Sequence, residues 1–191
     1  NVLIENIYNV VDMAEEEMTS WAAEAKFLKA YYHFLLFTYY GPIPIVDENL
    51  PISASDTEVR VKRRTVDESV AYIVETIDEA IVHLPARVLS SNDLGRIDQV
   101  IAKAIKSRVL TYAASPLFNG NTEMYSGFVN EEGEHFFNQS YDQNKWDLAR
   151  DASLEAISAA LENGVSLYEF TSTPPNYEDE YEEEEFIQTL Y

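Results

Sequence analysis

The residue types that usually carry catalysis or metal binding are sparse in this 191-residue sequence. It contains no cysteine, and His33, His83 and His135 stand about 50 residues apart without a His-Glu-x-x-His pattern. One local group of acids and a histidine occupies residues 131–135, and a solvated loop is the favoured interpretation of it. The six glycines are too scattered for a phosphate-binding loop, and no serine lies in a nucleophile-elbow motif. We therefore expect no metal centre, no cofactor and no enzymatic activity.

A different chemistry, stacking on and hydrogen bonding to sugars, is indicated by residues 115–144. This stretch is rich in asparagine, glycine and aromatic residues, and it is too long for a simple connector. A flat apolar ring suits the face of a pyranose, and side-chain amides suit its hydroxyls. We predict a carbohydrate-binding site in which Tyr125 and Phe128 supply rings and Asn119 and Asn121 supply polar contacts. Replacing Tyr125 and Asn121 by alanine should then weaken binding without lowering stability. The alternative is that the loop is only a spacer.

Composition and charge exclude several classes of partner. Thirteen Lys and Arg residues against 34 Asp and Glu residues give a net charge of −21, which repels phosphate backbones. No nucleic-acid partner is expected. The longest apolar stretch, residues 30–40, is shorter than the roughly 20 residues that a membrane-spanning helix needs. An apolar fraction of 46% nevertheless indicates a globular protein with a real core.

Five helices are predicted from apolar periodicity between the glycine and proline breakers. The first carries apolar residues at three-and-four spacing from Leu3 to Met18, and a second, capped by Thr19 or Ser20, runs to Tyr40. The third is predicted at residues 65–84, where Thr65 and Glu68 form a capping box. The fourth is predicted to start at Asp98 and to cover residues 98–114, and the fifth covers residues 145–161 and closes at Asn163 and Gly164. Because the second helix is apolar on nearly every face, we expect it to be the most buried. Strand content should lie under about 10%.

The predicted fold class is all-α, with antiparallel helical hairpins in an array similar to tetratricopeptide repeats. The third and fourth helices start about 32 residues apart, close to the roughly 34-residue period of those repeats, although the full repeat signature is not present. We predict one helical-repeat domain over residues 1–191, with loops at residues 43–64 and 115–144 and an acidic, aromatic tail at residues 171–191. The absence of an initiator methionine suggests the hypothesis that the chain is a piece of a longer protein.

Two arginines at the ends of one segment, Arg96 and Arg108, invite a structural prediction. Arg108 lies on a helix otherwise packed by Ile105, Val109 and Tyr112. Its guanidinium should be paired with a carboxylate or with carbonyls at a helix end, since an unpaired buried cation is costly. The alternative is an arginine whose stem lies on the surface and whose charge reaches water.

Several stretches, taken in order, resemble one protein family. The run AEAKFLKAYYHF at Ala23–Phe34, followed by YGPIPIV at Tyr40–Val46, is similar to the signature of the SusD/RagB outer-membrane nutrient-binding lipoproteins. Thr65–Val70, Gly95–Tyr112 and Ala114–Asn119 follow that family's next segments in order and spacing. The resemblance extends over roughly residues 19–170.

The resemblance implies a SusD-like helical scaffold that binds and does not cut. Its expected ligands are oligosaccharides or polysaccharides, captured at the cell surface and passed to a partner TonB-dependent transporter of the SusC type. It also implies attachment to the outer membrane through a lipid anchor that is not present in this chain, because the lipobox cysteine is missing. Alternatives are peptide or glycoprotein-glycan capture, as in RagB-like members, and a scaffold of helical repeats for protein partners. Ligand residues vary within the family, so none is carried over by motif.

Overall fold

The computed structural model describes residues 1–167, and this part of the chain is built from helices without a β-strand. The α-helices are α1 (Val2–Asn6), α2 (Glu15–Tyr40), α3 (Asp56–Val59), α4 (Val66–Ile81), α5 (Gln99–Ala114), α6 (Thr122–Tyr125) and α7 (Gln143–Glu162). Short 3-10 turns occur at Ile7–Asn9 and Ser91–Asp93. The predicted all-α fold class is confirmed. The predicted tail, residues 171–191, lies outside the described residues.

The four long helices pack side by side as consecutive pairs. Helix α2 packs mainly on α4, α5 packs mainly on α7, and α4 also lies against α5. A single apolar core fills the space between them, with its largest fully buried side chains at Phe37, Ile43, Ile73, Ile77 and Val109. Both predicted loops contain a short helix, α3 in residues 43–64 and α6 in residues 115–144. Within residues 1–167, no helix has the length and apolarity needed to cross a bilayer.

The N-terminal helix boundaries differ from those that the sequence predicts. Helix α1 ends at Asn6, and α2 begins at Glu15, so the predicted helix from Leu3 to Met18 is broken in its middle. Thr19 does not cap a helix, because its hydroxyl donates to the Glu15 carbonyl at 2.8 Å inside α2. Three glutamates occupy the first turn of α2, where carboxylates stabilise the positive end of the helix dipole.

The later helix starts and stops follow the predicted capping residues. Thr65 and Glu68 form the expected capping box at the start of α4. The Asp98 carboxylate accepts a hydrogen bond from the Ile101 amide at 2.9 Å and caps α5. Helix α7 is capped by Asp142 and starts at Gln143, two residues before the predicted position. It stops where Gly164 adopts a φ of +67°, which a glycine tolerates without strain.

The expectation that α2 is the most buried helix is wrong for the described residues. Six of its 26 residues are buried, whereas seven of the 16 residues of α4 are. The buried face of α2 runs through Ala23, Phe27, Ala30, Phe34 and Phe37, and large apolar side chains on the opposite face are exposed. Helix α2 therefore carries more apolar surface than residues 1–167 bury.

The pairing predicted for Arg108 is wrong for the described residues, whereas Arg96, near the other end of the same segment, is paired. Arg96 donates through Nε and Nη2 to the Glu24 carboxylate at 3.1 and 2.8 Å, and its guanidinium lies over the Trp21 ring at 5.8 Å. Arg108 is exposed and has no ion pair or hydrogen bond within residues 1–167. The helix face that holds Arg108 points to water, so its charge is solvated rather than paired.

The segment after α2 is fastened to the helices by a small polar network. Lys29 on α2 donates to the Asp47 carboxylate at 2.7 Å, and the Tyr72 hydroxyl on α4 donates to the same oxygen at 2.8 Å. These two hydrogen bonds, that of Lys29 first, hold the pKa of Asp47 below its ordinary value. Burial, followed by the bond to Asp47, raises the pKa of Tyr72. Asp47 thus joins the loop to two helices that also contact each other.

The Asp47 network predicts a pH dependence of stability. Because the pKa of Asp47 is lowered in the folded state, its contribution is complete above the unfolded pKa and is lost as pH falls through the folded value. We expect Asp47→Asn to lower stability by less than about 1 kcal/mol at neutral pH, since the carboxylate is largely exposed. At about pH 3 the difference from the unmodified chain should shrink.

Urea denaturation of both chains at neutral and acid pH measures this effect. Glu48→Gln is the matched control, because Glu48 is the neighbouring exposed acid and makes no ion pair within residues 1–167. A loss of stability for Asp47→Asn that is the same at both pH values contradicts the assignment.

Candidate functional site

The four predicted sugar-binding residues lie on residues 115–144, the inserted loop that connects α5 to α7. Asn119 follows the turn that ends α5, Asn121 precedes α6, and Tyr125 is the last residue of α6. Phe128 comes next and is followed by a narrow turn in which Val129 and His135 form an isolated bridge. The structure therefore places the four residues on one continuous segment, but it gives them different environments.

Asn119 is buried, and its hydrogen bonds connect the two ends of the inserted loop. Its side chain is 5% exposed. The amide nitrogen donates to the Asp142 carbonyl at 2.9 Å, and the amide oxygen accepts from the Asp142 backbone nitrogen at 2.8 Å. A weaker bond of 3.4 Å reaches the Ala114 carbonyl. The amide of Asn119 is thus used in closing the loop, at the point where α5 ends and α7 begins.

Asn121 is partly exposed and uses only half of its amide in the fold. Its oxygen accepts from the Met124 backbone nitrogen at 3.1 Å and so caps α6. Its amide nitrogen donates no hydrogen bond within residues 1–167. A donor at a surface position is available to a hydroxyl of a bound molecule.

The aromatic residues of the loop form a stack that joins the core. Phe137, which is buried, lies between the parallel rings of Tyr125 at 3.8 Å and Phe118 at 5.8 Å between centroids. Phe128 lies 5.0 Å from the Phe136 ring and keeps 38% of its surface exposed. One face of Tyr125 is thus occupied by Phe137, and Phe128 offers the more accessible ring.

The side chains that hold this loop in place are not evident from the sequence. In the sequence, Phe136 and Phe137 are simply two of the aromatic residues of this loop, yet Phe137 is as buried as the helix core and the Phe136 carbonyl accepts from the Val66 amide at 2.9 Å. Lys62 lies 3.7 Å from Glu131 and pairs more closely with Glu132, so the segment before α4 also contacts the loop. Nothing in the sequence distinguishes these residues from their exposed neighbours, because their contacts are with residues far away in the chain.

The acidic group at residues 131–135 is exposed throughout. Asn130 organises it, because its side-chain oxygen accepts from the Glu132 and Glu134 backbone nitrogens at 3.1 and 2.8 Å. Among the described residues, no group of three or more histidine or acidic side chains is placed to hold a metal ion. The geometry of this group is that of a solvated turn.

A groove of about 290 Å³ lies between α4, α5 and the start of α7. Its floor is apolar, with Val70, Val74 and Leu110, and the Lys145–Asp67 ion pair of 2.5 Å stands among its lining residues. No aromatic ring lines it, so it lacks the flat surface on which a sugar ring stacks. The inserted loop is therefore the better candidate for contact with a carbohydrate.

A family model and several solved structures match this chain. The SusD-like family model described as starch-binding and associating with the outer membrane matches residues 1–111. The solved structure of BT4246 is 36% identical over 84% of this chain, with a TM-score of 0.77. A laminarin-binding SusD-like protein is 29% identical over 60% of the chain, with a TM-score of 0.53. The SusD-like protein BF3747 from Bacteroides fragilis is 25% identical over 59%, with a TM-score of 0.51. A search of curated proteins found no match.

These relatives are much longer than the present chain, which spans 28%, 24% and 22% of their respective lengths. SusD-like glycan-binding proteins are non-catalytic, and the family description associates them with the outer membrane. The family model covers more than half of the sequence, and a 36% identical structure has the same helical arrangement. This chain therefore belongs to the SusD-like family.

Proposed function

We propose that the protein binds oligosaccharides at the surface of the outer membrane and passes them to a TonB-dependent transporter of the SusC type. A lipid anchor outside these residues would hold it at the membrane. The match of residues 1–111 to a family described as starch-binding supports the proposal most directly. The 29% identical laminarin-binding protein indicates that glucans are the first ligands to test.

Within this chain, we place the sugar contact on the inserted loop, at Phe128 and Asn121. Phe128 supplies a partly exposed ring, and Asn121 supplies an amide nitrogen that donates no hydrogen bond among the described residues. Tyr125 and Asn119 belong to the same proposed site, but one stacks on Phe137 and the other binds the Asp142 backbone. We therefore propose that these two residues shape the loop and that Phe128 and Asn121 contact the ligand. Replacing Tyr125 by alanine is accordingly expected to lower stability as well.

The proposed site predicts a moderate loss of affinity in a double variant. Replacing Phe128 and Asn121 by alanine should weaken binding by about 1 kcal/mol for each lost contact, or about fivefold each. Isothermal titration calorimetry of the complete polypeptide with maltooligosaccharides and laminarin oligosaccharides measures the change. Affinity for these neutral sugars should vary little with salt, because no counterions are released.

Tyr8→Ala is the control for the double variant, because Tyr8 is an exposed aromatic residue far from the loop in sequence. Binding that is unchanged in the double variant removes the inserted loop from the ligand surface, while leaving sugar binding by the complete protein intact. Absence of binding to any glycan, beside clear binding of peptides, favours the RagB-like alternative. Binding of neither class favours a scaffold for protein partners.

A further inference from the structure

A basic cluster precedes helix α4 in a protein that is otherwise strongly acidic. We give this name to Arg60, Lys62, Arg63 and Arg64, which place four of the 13 Lys and Arg residues within five positions. All four residues are exposed. An exposed group of charges of one sign attracts a partner of the opposite sign.

Most of the cations of this protein are already paired with acids of the fold. All 13 Lys and Arg residues lie in the described part of the chain, and nine of them have a carboxylate oxygen within 4.0 Å. Arg60 and Arg63 make neither an ion pair nor a side-chain hydrogen bond within residues 1–167, and Arg64 only approaches Glu68 at 4.0 Å. Two guanidinium groups whose donors are available therefore lie three residues apart.

The backbone of the basic cluster is held in place although its side chains are exposed. Arg63 forms an isolated antiparallel bridge with Pro44, and the Arg64 amide donates to the Ile43 carbonyl at 2.9 Å. The next residue, Thr65, caps α4. Charged side chains on a fixed backbone lose less conformational entropy on binding, so the cluster is preorganised for a ligand.

The basic cluster adjoins the inserted loop, on which the sugar contact is proposed. The Val66 amide donates to the Phe136 carbonyl at 2.9 Å, and the Phe136 amide donates to the Phe128 carbonyl at 3.2 Å. Val66 lies two residues beyond the end of the cluster, which is about 7 Å of extended chain. A ligand of a few sugar units that stacks on Phe128 can therefore reach the cluster.

We propose that the oligosaccharide bound at the inserted loop carries an anionic group, the carboxylate of a uronic acid or a sulfate ester, and that Arg60 and Arg63 bind this group. The inference rests on the proposed function and names its substrate class. A guanidinium presents a planar fork of N–H donors that matches two oxygens of a carboxylate or a sulfate. A neutral oligosaccharide uses only the ring and the amide of the loop, so it binds more weakly than an anionic one of the same length.

The net charge of the protein favours an anionic sugar over an anionic membrane. The phosphates of a lipid surface extend over a whole face of the protein, and a net charge of −21 repels them. The charge of a single sugar acts over a Debye length, about 8 Å at physiological salt, so it responds chiefly to the cluster. Lys62 offsets the nearby acids of the loop, because it pairs with Glu132 and lies 3.7 Å from Glu131.

The acidic stretch at residues 178–185 is the rival partner for the cluster within this chain. It contains seven Asp and Glu residues and lies outside the described residues. Arg87, which follows α4, donates to the Asn163 carbonyl at the end of α7, so α7 ends near the end of α4, whereas the cluster precedes α4. The length of α4, about 24 Å for 16 residues, separates these two points. The described fold therefore does not bring the end of α7 to the cluster.

Isothermal titration calorimetry of the complete polypeptide tests the proposal with matched sugars. One pair is oligogalacturonate and the same oligosaccharide after reduction of its carboxylates to alcohols, and the other is a sulfated oligosaccharide and its desulfated form. In at least one pair the anionic member should bind about tenfold more tightly. Its affinity should fall as salt rises, while that of the neutral member stays constant. Equal affinities within both pairs overturn the inference and leave the proposed function intact. Absence of binding to every glycan, the glucans included, overturns both.

A double variant shows whether the basic cluster is responsible. Replacing Arg60 and Arg63 by glutamine should remove most of the tenfold preference and leave the affinity for the neutral sugar unchanged. Replacing Arg108 and Arg150 by glutamine is the matched control, because it removes the same charge from exposed helix positions and should leave the preference intact.

Two further results of the same double variant contradict the proposal. If the variant keeps the sugar affinities but melts at a lower temperature in low salt, acids of the protein itself, such as residues 178–185, occupy the cluster. If it keeps the sugar affinities but loses binding to vesicles that contain lipopolysaccharide, the cluster binds the membrane surface instead.

Discussion

Replacing Phe37 by alanine is expected to lower the free energy of unfolding by about 3–5 kcal/mol, the usual cost of removing a fully buried phenylalanine. Phe37 is 0% exposed. Its ring meets Tyr112 of α5 edge-on at 5.8 Å and Phe118 of the inserted loop at 4.9 Å between centroids. The substitution removes contacts between three parts of the chain at once and leaves a cavity that rigid helices cannot close.

Chemical denaturation of the variant measures this loss, and Phe128→Ala is the matched control. Phe128 belongs to the neighbouring aromatic group but is partly exposed, so the same substitution should cost about 1 kcal/mol, since less apolar area returns to water. If the two variants lose the same stability, Phe37 does not hold the central position in the core that the structure assigns to it.

The second large effect is expected at Asn119, where alanine should lower the free energy of unfolding by about 2–4 kcal/mol. The substitution leaves the backbone nitrogen and carbonyl of Asp142 without their partners, together with the more distant Ala114 carbonyl. It also removes the hydrogen bonds that hold the start of α7 against the end of α5, because Asp142 is the residue that caps α7. A loss of this size should lower the melting temperature of a chain of this length by roughly 5–15 °C.

Asn121→Ala is the control for this prediction, because Asn121 lies two residues away and its side chain caps only the four-residue helix α6. It should lower stability by less than about 1 kcal/mol. Calorimetry or thermal denaturation followed by circular dichroism measures both variants. If Asn119→Ala and Asn121→Ala have the same melting temperature, Asn119 does not hold the two ends of the inserted loop together.

The helices of this protein were predictable where local chemistry decides them. The capping box of Thr65 and Glu68, the cap at Asp98 and the stop at Gly164 act within a few residues of chain, so the sequence displays them directly. The start of α2 was not predictable in the same way. Apolar residues continue at helical spacing from Leu3 to Met18, yet the chain turns between Asn9 and Glu15 and begins a new helix. Periodicity alone does not reveal a turn between two helices when the helical spacing of apolar residues continues across that turn.

The candidate site was predictable only in part. The unusual length and composition of residues 115–144 identified the segment, and the resemblance of Ala23–Phe34 and Tyr40–Val46 identified the family. The roles within the segment depend on contacts between residues far apart in sequence. Asn119 and Asn121 are identical in type and two positions apart, but only Asn119 meets Asp142, 23 residues later in the chain.

The sequence by itself determined the helical class, most of the helix ends, the family and the acidic surface, because these follow from composition, spacing and short-range capping. Only the tertiary structure decided which polar and aromatic side chains are buried. Arg108 faces water while Arg96 binds Glu24, and Tyr125 stacks on Phe137 while Phe128 stays partly exposed. Burial is a property of what packs against a residue, and packing partners are brought together by the whole fold rather than by neighbouring positions.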